Sequence, residues 1–271
     1  MDFPEKSLEQ GPGRQIIIHM KKNVVSFVIT AGLALLPVAS TQAFETAQGV
    51  VATPITSVPF TITTSGNYYL PANLTFSGIG GAAITVNASE VVLDLNGRTL
   101  SSSVASALAV GVYVFNQVDV TIQNGDIDHF GYAGVYLAPN STDVNAKNTV
   151  DNVKFNGDLI GVLSVSGTSN WVKNCVIDGG DVGIMFMMDQ GSRASNNILQ
   201  LQTAQELLGM GVSLVSLGSG GVYFENNEVL KGSNPVGQVM SNTDKFRFET
   251  FVGYSGLGPH AGGTDETFNS L

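Results

Sequence analysis

A short pattern, Gly followed by alternating apolar residues, recurs at Gly111-Val112-Tyr113-Val114, Gly134-Val135-Tyr136-Leu137, Gly161-Val162-Leu163, Gly183-Ile184-Met185-Phe186 and Gly211-Val212-Ser213-Leu214. The steps between copies are 23, 27, 22 and 28 residues. Each copy is followed by a second burst that closes on Asn, at Asn124, Asn152, Asn174, Asn196 and Asn226, with steps of 28, 22, 22 and 30. Alternation with period two is a strand signal. A unit of about 22 residues, with tolerated insertions and no helix within it, predicts one coil of a parallel solenoid, because such a unit buries its apolar face only by stacking on the next.

Stacking predicts columns. Counted from each Asn, the residue two before is Ile122, Val150, Val172, Ala194 or Phe224, and the residue three after is Ile127, Phe155, Ile177, Leu199 or Val229. Both columns read as inward, each side chain lying over its equivalent about 4.8 Å away. Asn124, Asn152, Asn174, Asn196 and Asn226 themselves read as a structural ladder at a turn, where amides can bond one another and backbone groups freed by the bend. In the first coil Leu95 directly precedes Asn96, so that coil is expected to be bulged or out of register.

The run Ala83 to Leu100, preceded by Ser65-Gly66-Asn67-Tyr68-Tyr69-Leu70, resembles the opening of right-handed parallel β-helix repeat proteins similar to pectate lyases and to the periplasmic NosD-like proteins. The resemblance covers about residues 50 to 250. It implies an all-β, single-stranded right-handed parallel β-helix of about seven coils over residues 82–254, with an N-terminal cap over 50–81 and a flexible tail over 255–271. Gln202 to Leu208 reads as a short helical insertion. Proteins of this kind include lyases, hydrolases, adhesins and scaffolds, so the resemblance leaves open whether the chain is an enzyme.

The chain's beginning speaks to location. Met20-Lys21-Lys22, the apolar stretch Val24 to Ala39 and Thr41-Gln42-Ala43 before Phe44 have the layout of a secretory signal peptide over residues 20–43. Residues 1–19 lack apolar periodicity and are expected to be disordered or to lie upstream of the true start. No later stretch approaches the roughly 20 apolar residues of a membrane span, so the exported chain is expected to be secreted, periplasmic or on the cell surface, with none. Twelve basic against 22 acidic residues give a net charge of -10, with no basic stripe to release counterions from nucleic acid. The single Cys175 makes no internal disulfide.

The sequence offers two kinds of site. Four after each Asn stand Asp128, Asn156, Asp178 and Gln200, an outward column in which Asp128 and Asp178 would be about 9.6 Å apart. With His129, Asp181 and Arg193 these are the catalytic candidates: two carboxyls near the long end of the inverting-glycosidase range, with Arg193 as a base were the chain a lyase. The resemblance implies acidic glycans as substrates and leaves Ca²⁺ open as a cofactor, none being evident otherwise. Asn242-Thr243-Asp244 matches a polygalacturonase-like element but lacks its companion motifs. Arg98, Asp126 and Lys154 read as a charge ladder. The second site is the outer face of the Gly-led strands, apolar where it should be polar, at Tyr113, Tyr136, Leu163, Met185 and Ser213, and at Phe115, Ala138, Val165, Met187 and Val215. Its cover could be the C-terminal segment through Phe246, Phe248, Phe251 and Tyr254, a partner subunit in an oligomer, or a glycan stacked on Tyr113, Phe115, Tyr136 and Met185. The reading favoured on these grounds is a non-enzymatic carbohydrate-binding or surface protein; the alternative is a small polysaccharide lyase or hydrolase.

Overall fold

The computed structural model describes residues 44–45, 51–104, 108–138, 146–200, 212–217, 220–230, 238–240, 245–247, 249–252 and 268–270. The expected signal peptide, the helical insertion at 202–208, Asn242-Thr243-Asp244, Phe248 and Tyr254 lie outside these residues. The described strands belong to the compact unit Gln42–Leu271.

The described residues form two sheets, one of eight strands and one of sixteen. The eight-stranded sheet stacks Gln238–Met240, Val212–Leu217, Val182–Met187, Ile160–Val165, Ala133–Ala138, Ala109–Phe115, Gly81–Val86 and Phe60–Ile62, all parallel. We call it the Gly sheet. The other, the Asn sheet, takes two arms from each coil, one on either side of the Asn. In Thr121–Asp128 and Thr149–Asn156 the arms are one strand; later they are separate, as in Trp171–Lys173 and Val176–Asp178. Its one antiparallel pairing joins Phe44–Glu45 to Val51–Pro54. The expected all-β parallel solenoid is what forms, although five rather than seven coils carry both a Gly strand and an Asn corner. The difference lies at the ends, where the pattern of Gly and Asn gives way while parallel pairing continues. Val51–Pro54 and Gly66–Tyr69 already lie in the Asn sheet, and Phe268–Ser270, within the expected tail, pairs with Glu249–Val252.

The columns follow from the corner. Asn124, Asn152, Asn174, Asn196 and Asn226 all have φ between 55 and 59°, a left-handed conformation that Asn tolerates better than other residues with a side chain. One such residue reverses the alternation, so residues on both its sides face inward. Ile122, Val150, Val172, Ala194 and Phe224 are in register and fully buried, as are Ile127, Phe155, Ile177, Leu199 and Val229. Phe246 and Phe251 take the next register positions in these two columns, beyond Phe224 and Val229. The strands that carry them, Lys245–Arg247 and Glu249–Val252, thus continue the Asn sheet and do not run across the outer face of the Gly sheet.

Asn amides bond along the ladder at Asn152 Nδ2 to Asn124 Oδ1 (3.0 Å) and Asn226 Nδ2 to Asn196 Oδ1 (2.6 Å). Elsewhere they turn to a carboxylate, Asn124 to Asp94 and Asn174 to Asp151. The first coil is bulged between Asp94 and Arg98, as Leu95-Asn96 foretold. That bulge sets Arg98 opposite Gly125, not Asp126, so the expected three-membered charge ladder does not form; Asp126 stands between Thr99 and Lys154.

Glycine leads its strands for a steric reason. A Cβ on Gly134 would lie 2.6 Å from Phe155 Cδ1, and one on Gly161 3.0 Å from Ile177 Cγ2. At these positions the inward side chains of the Asn sheet reach the backbone of the Gly sheet, so Phe155 and Ile177 fit only where that backbone is bare.

Candidate functional site

The second arm carries the carboxylate column as expected: Asp128, Asn156, Asp178 and Gln200 are in register, and all are half-buried. His129, exposed and at φ 62°, follows at the corner and packs over Gly157. Burial raises the Asp128 carboxyl above the usual range, the Asp126 charge adds to that, and His129 and Lys154 oppose it. Asp181 does not join them, being 3% exposed at the corner between second arm and Gly sheet. Arg193 lies across the Asn corner on the first arm, beside Trp171 and Tyr223, so it supplies no base to the carboxylates. Among the described residues no three His, Cys, Asp or Glu side chains come together as metal donors.

Sequence reasoning missed Asp158, at the same corner. It is buried, its Oδ1 accepts the Phe130 N–H at 2.6 Å, and its Oδ2 has no partner among the described residues. Burial pushes this carboxyl well above the ordinary value, against the Phe130 N–H and with the Asp128 charge adding. Two internal polar columns were also missed. Asn148, Asn170 and Ser192 pass backbone N–H bonds from coil to coil, beginning at Val120. Asn197 and Asn227 do the same beyond the Asn corner, beginning at Cys175. Asp189 is likewise a buried acceptor, of Gly167 N–H and the Ser164 and Ser192 hydroxyls, and burial raises it.

The outer face of the Gly sheet is apolar as anticipated, with changes in detail. Tyr113 and Tyr136 are in register, with ring centroids 5.2 Å apart, and Phe115 stacks on Tyr113 at 5.9 Å and 25°. Phe115 is 50% exposed. Farther along, Leu163 and Met185 are buried with Ala133, Ile160 and Val182 in a cluster of their own, so Met185 is not available to a ligand. In the next coil the register places Val215, not Ser213, beside Met185, and Leu214 is the inward residue. The accessible part of the face is therefore its aromatic end.

The family described as right handed beta helix region matches residues 61–229 and, in an overlapping second match, 110–264. The chain belongs to this family. Membership makes the handedness of the β-helix that of its relatives. Among solved structures, the β-helix is similar to a double mutant of the tailspike protein of E. coli bacteriophage HK620, in complex with a pentasaccharide, at 12% identity and a TM-score of 0.43. That match covers 75% of this chain and 39% of the tailspike chain. Curated proteins give no match. Among the described residues no helix is long and apolar enough to cross a membrane.

Proposed function

We propose that this β-helix is an exported, non-enzymatic protein that binds an extended glycan along the outer face of its Gly sheet. The observation that carries the reading is the aromatic row Phe115, Tyr113 and Tyr136, outward, in contact ring to ring, with Phe115 stacked on Tyr113 and Tyr136 tilted against it, and open to solvent at Phe115. Aromatic faces pack against the apolar face of a pyranose ring, and a rigid sheet presents them with little entropy to lose on binding. Tyr132, edge-on to Tyr136, widens the platform toward the corner. The test is a glycan array followed by calorimetry on the best ligand. Phe115→Ala and Tyr136→Ala should each weaken binding about tenfold, a loss of about 1.4 kcal/mol, without changing the fold; unchanged affinity in both variants would end this reading. For export, protein recovered outside the cytoplasm should begin at Phe44.

One observation favours a second reading. The raised Asp128 carboxyl, two rungs and about 9.6 Å from Asp178, has the character of a general acid for glycoside hydrolysis with inversion. New reducing ends released from a polysaccharide, and lost in Asp128→Asn and Asp178→Asn, would establish hydrolysis and displace the binding-only reading.

A further inference from the structure

The first arm of the Asn sheet has an outer face that the proposed function does not use. It carries the chain's single tryptophan. Trp171 is 36% exposed on a face where a solvated sheet has polar residues, and its indole N–H donates to Ser195 Oγ at 2.8 Å. Ser195 is buried, so this bond holds the ring in one orientation across the sheet. On the next two rungs stand Arg193 and Tyr223. The Arg193 guanidinium lies between the two rings, 5.8 Å from Trp171 and 5.7 Å from Tyr223, and Lys173 Nζ lies 4.3 Å over Trp171. Each cation also faces a carboxylate: Lys173 meets Asp151 at 3.2 Å and Arg193 meets Glu225 at 3.8 Å.

From this arrangement we propose a second glycan-binding lane, centred on Trp171 and running through Arg193 to Tyr223, for a neutral, hydroxyl-rich oligosaccharide. Packing does not explain the tryptophan, because the inward position beside it is already filled by the buried Val172. Two aromatic rings two rungs apart are separated by about 9.6 Å, close to the repeat of a disaccharide in an extended chain, so alternate sugar rings could rest on both. The polar groups between the rings alternate in sign. Lys173 and Arg193 donate, Asp151 and Glu225 accept, and a sugar hydroxyl does both. An anionic glycan or a nucleic acid fits less well, because its charges would face Asp151 and Glu225. The exposed ion pairs and cation–π contacts are weak in water, so Lys173 can swing from the indole to admit a ring. The lane lies on the other sheet from Tyr113 and Tyr136 and does not depend on them.

Because Trp171 is the only tryptophan, its fluorescence reports on this lane alone. The full chain is titrated with cellohexaose, mannohexaose, xylohexaose and maltohexaose, and with polygalacturonate and heparin as anionic probes. The expected result is a saturable shift in Trp171 emission with at least one neutral hexaose. Arg193→Ala and Tyr223→Ala should weaken that response about tenfold, and Tyr136→Ala should leave it unchanged. Calorimetry on Trp171→Ala, with the Tyr136→Ala background removing the other face, should find no binding of that sugar. Silence with all four neutral probes, a response confined to the anionic ones, or full affinity in the Trp171→Ala, Tyr136→Ala double variant would each overturn the proposal. If the reading of the Gly sheet fails instead, Tyr136→Ala binds its array ligand normally while the Trp171 signal persists.

Discussion

Replacing Asp158 by Asn should remove a slope from the pH dependence of stability. The carboxyl is 1% exposed, and among the described residues nothing pairs with its Oδ2. Burial raises it well above the ordinary value, so the folded chain holds a proton that the unfolded chain, titrating near pH 3.9, has already released. The sign follows from linkage. The proton's contribution is fully present below the unfolded value and is lost as pH rises toward the folded one, by about 1.4 kcal/mol per pH unit for a single group. Asn has the same shape, can still accept from Phe130 N–H, and does not ionise. Its amide nitrogen would stand where Oδ2 stands and would lack an acceptor, a constant cost of about 1–3 kcal/mol that displaces the stability curve without tilting it. Urea denaturation of both proteins between about pH 4 and pH 7 should therefore show the variant gaining on the wild type as pH rises. Asp128, also raised, titrates in both proteins and largely cancels in the difference. A difference that does not change with pH would refute the reasoning, since it would mean that Asp158 ionises in the fold as readily as in water.

Two other predictions bear on the coil itself. Gly134→Ala would put a methyl 2.6 Å from the Phe155 ring and 2.9 Å from Asp158 Oδ2, and overpacking of this kind should lower stability by about 1–3 kcal/mol, read as a fall in the urea midpoint. Cys175 is buried and burial pushes its thiol up to about 12; it should resist alkylation in the native protein and react fully in urea, and rapid native labelling counted by mass would show that the inner column opens.

What the sequence disclosed depended on what the stack repeats. The inward columns through Val150 and Phe155 were legible because the Asn anchored the phase and a slip of one residue would have turned every side chain to the wrong face. Where the anchor weakened, so did the reading. Gly211 lies beyond an insertion, and taking it as equivalent to Gly183 put Ser213 where the register puts Val215. The internal Asn197 and Asn227 had a signal, the doubled Asn at 196–197 and 226–227, but alternation continued through the corner would send the second Asn outward, and only the positive φ of the first turns it in. Asp158 had none, since it sits in a corner where the period-two pattern stops. The candidate sites are the least repetitive part for a physical reason. An inner position is constrained by equivalent residues above and below it, so like stacks on like and the column shows in one sequence. An outer position is constrained by solvent or by a partner, so Trp171, Arg193 and Tyr223 share no residue type, and their relation emerges only when the register sets them on adjacent rungs. The same logic makes departure from the repeat informative: a large aromatic where the neighbouring rungs carry Thr149 and Arg193 is not required by the stack, and it is the residue on which the proposed second lane centres.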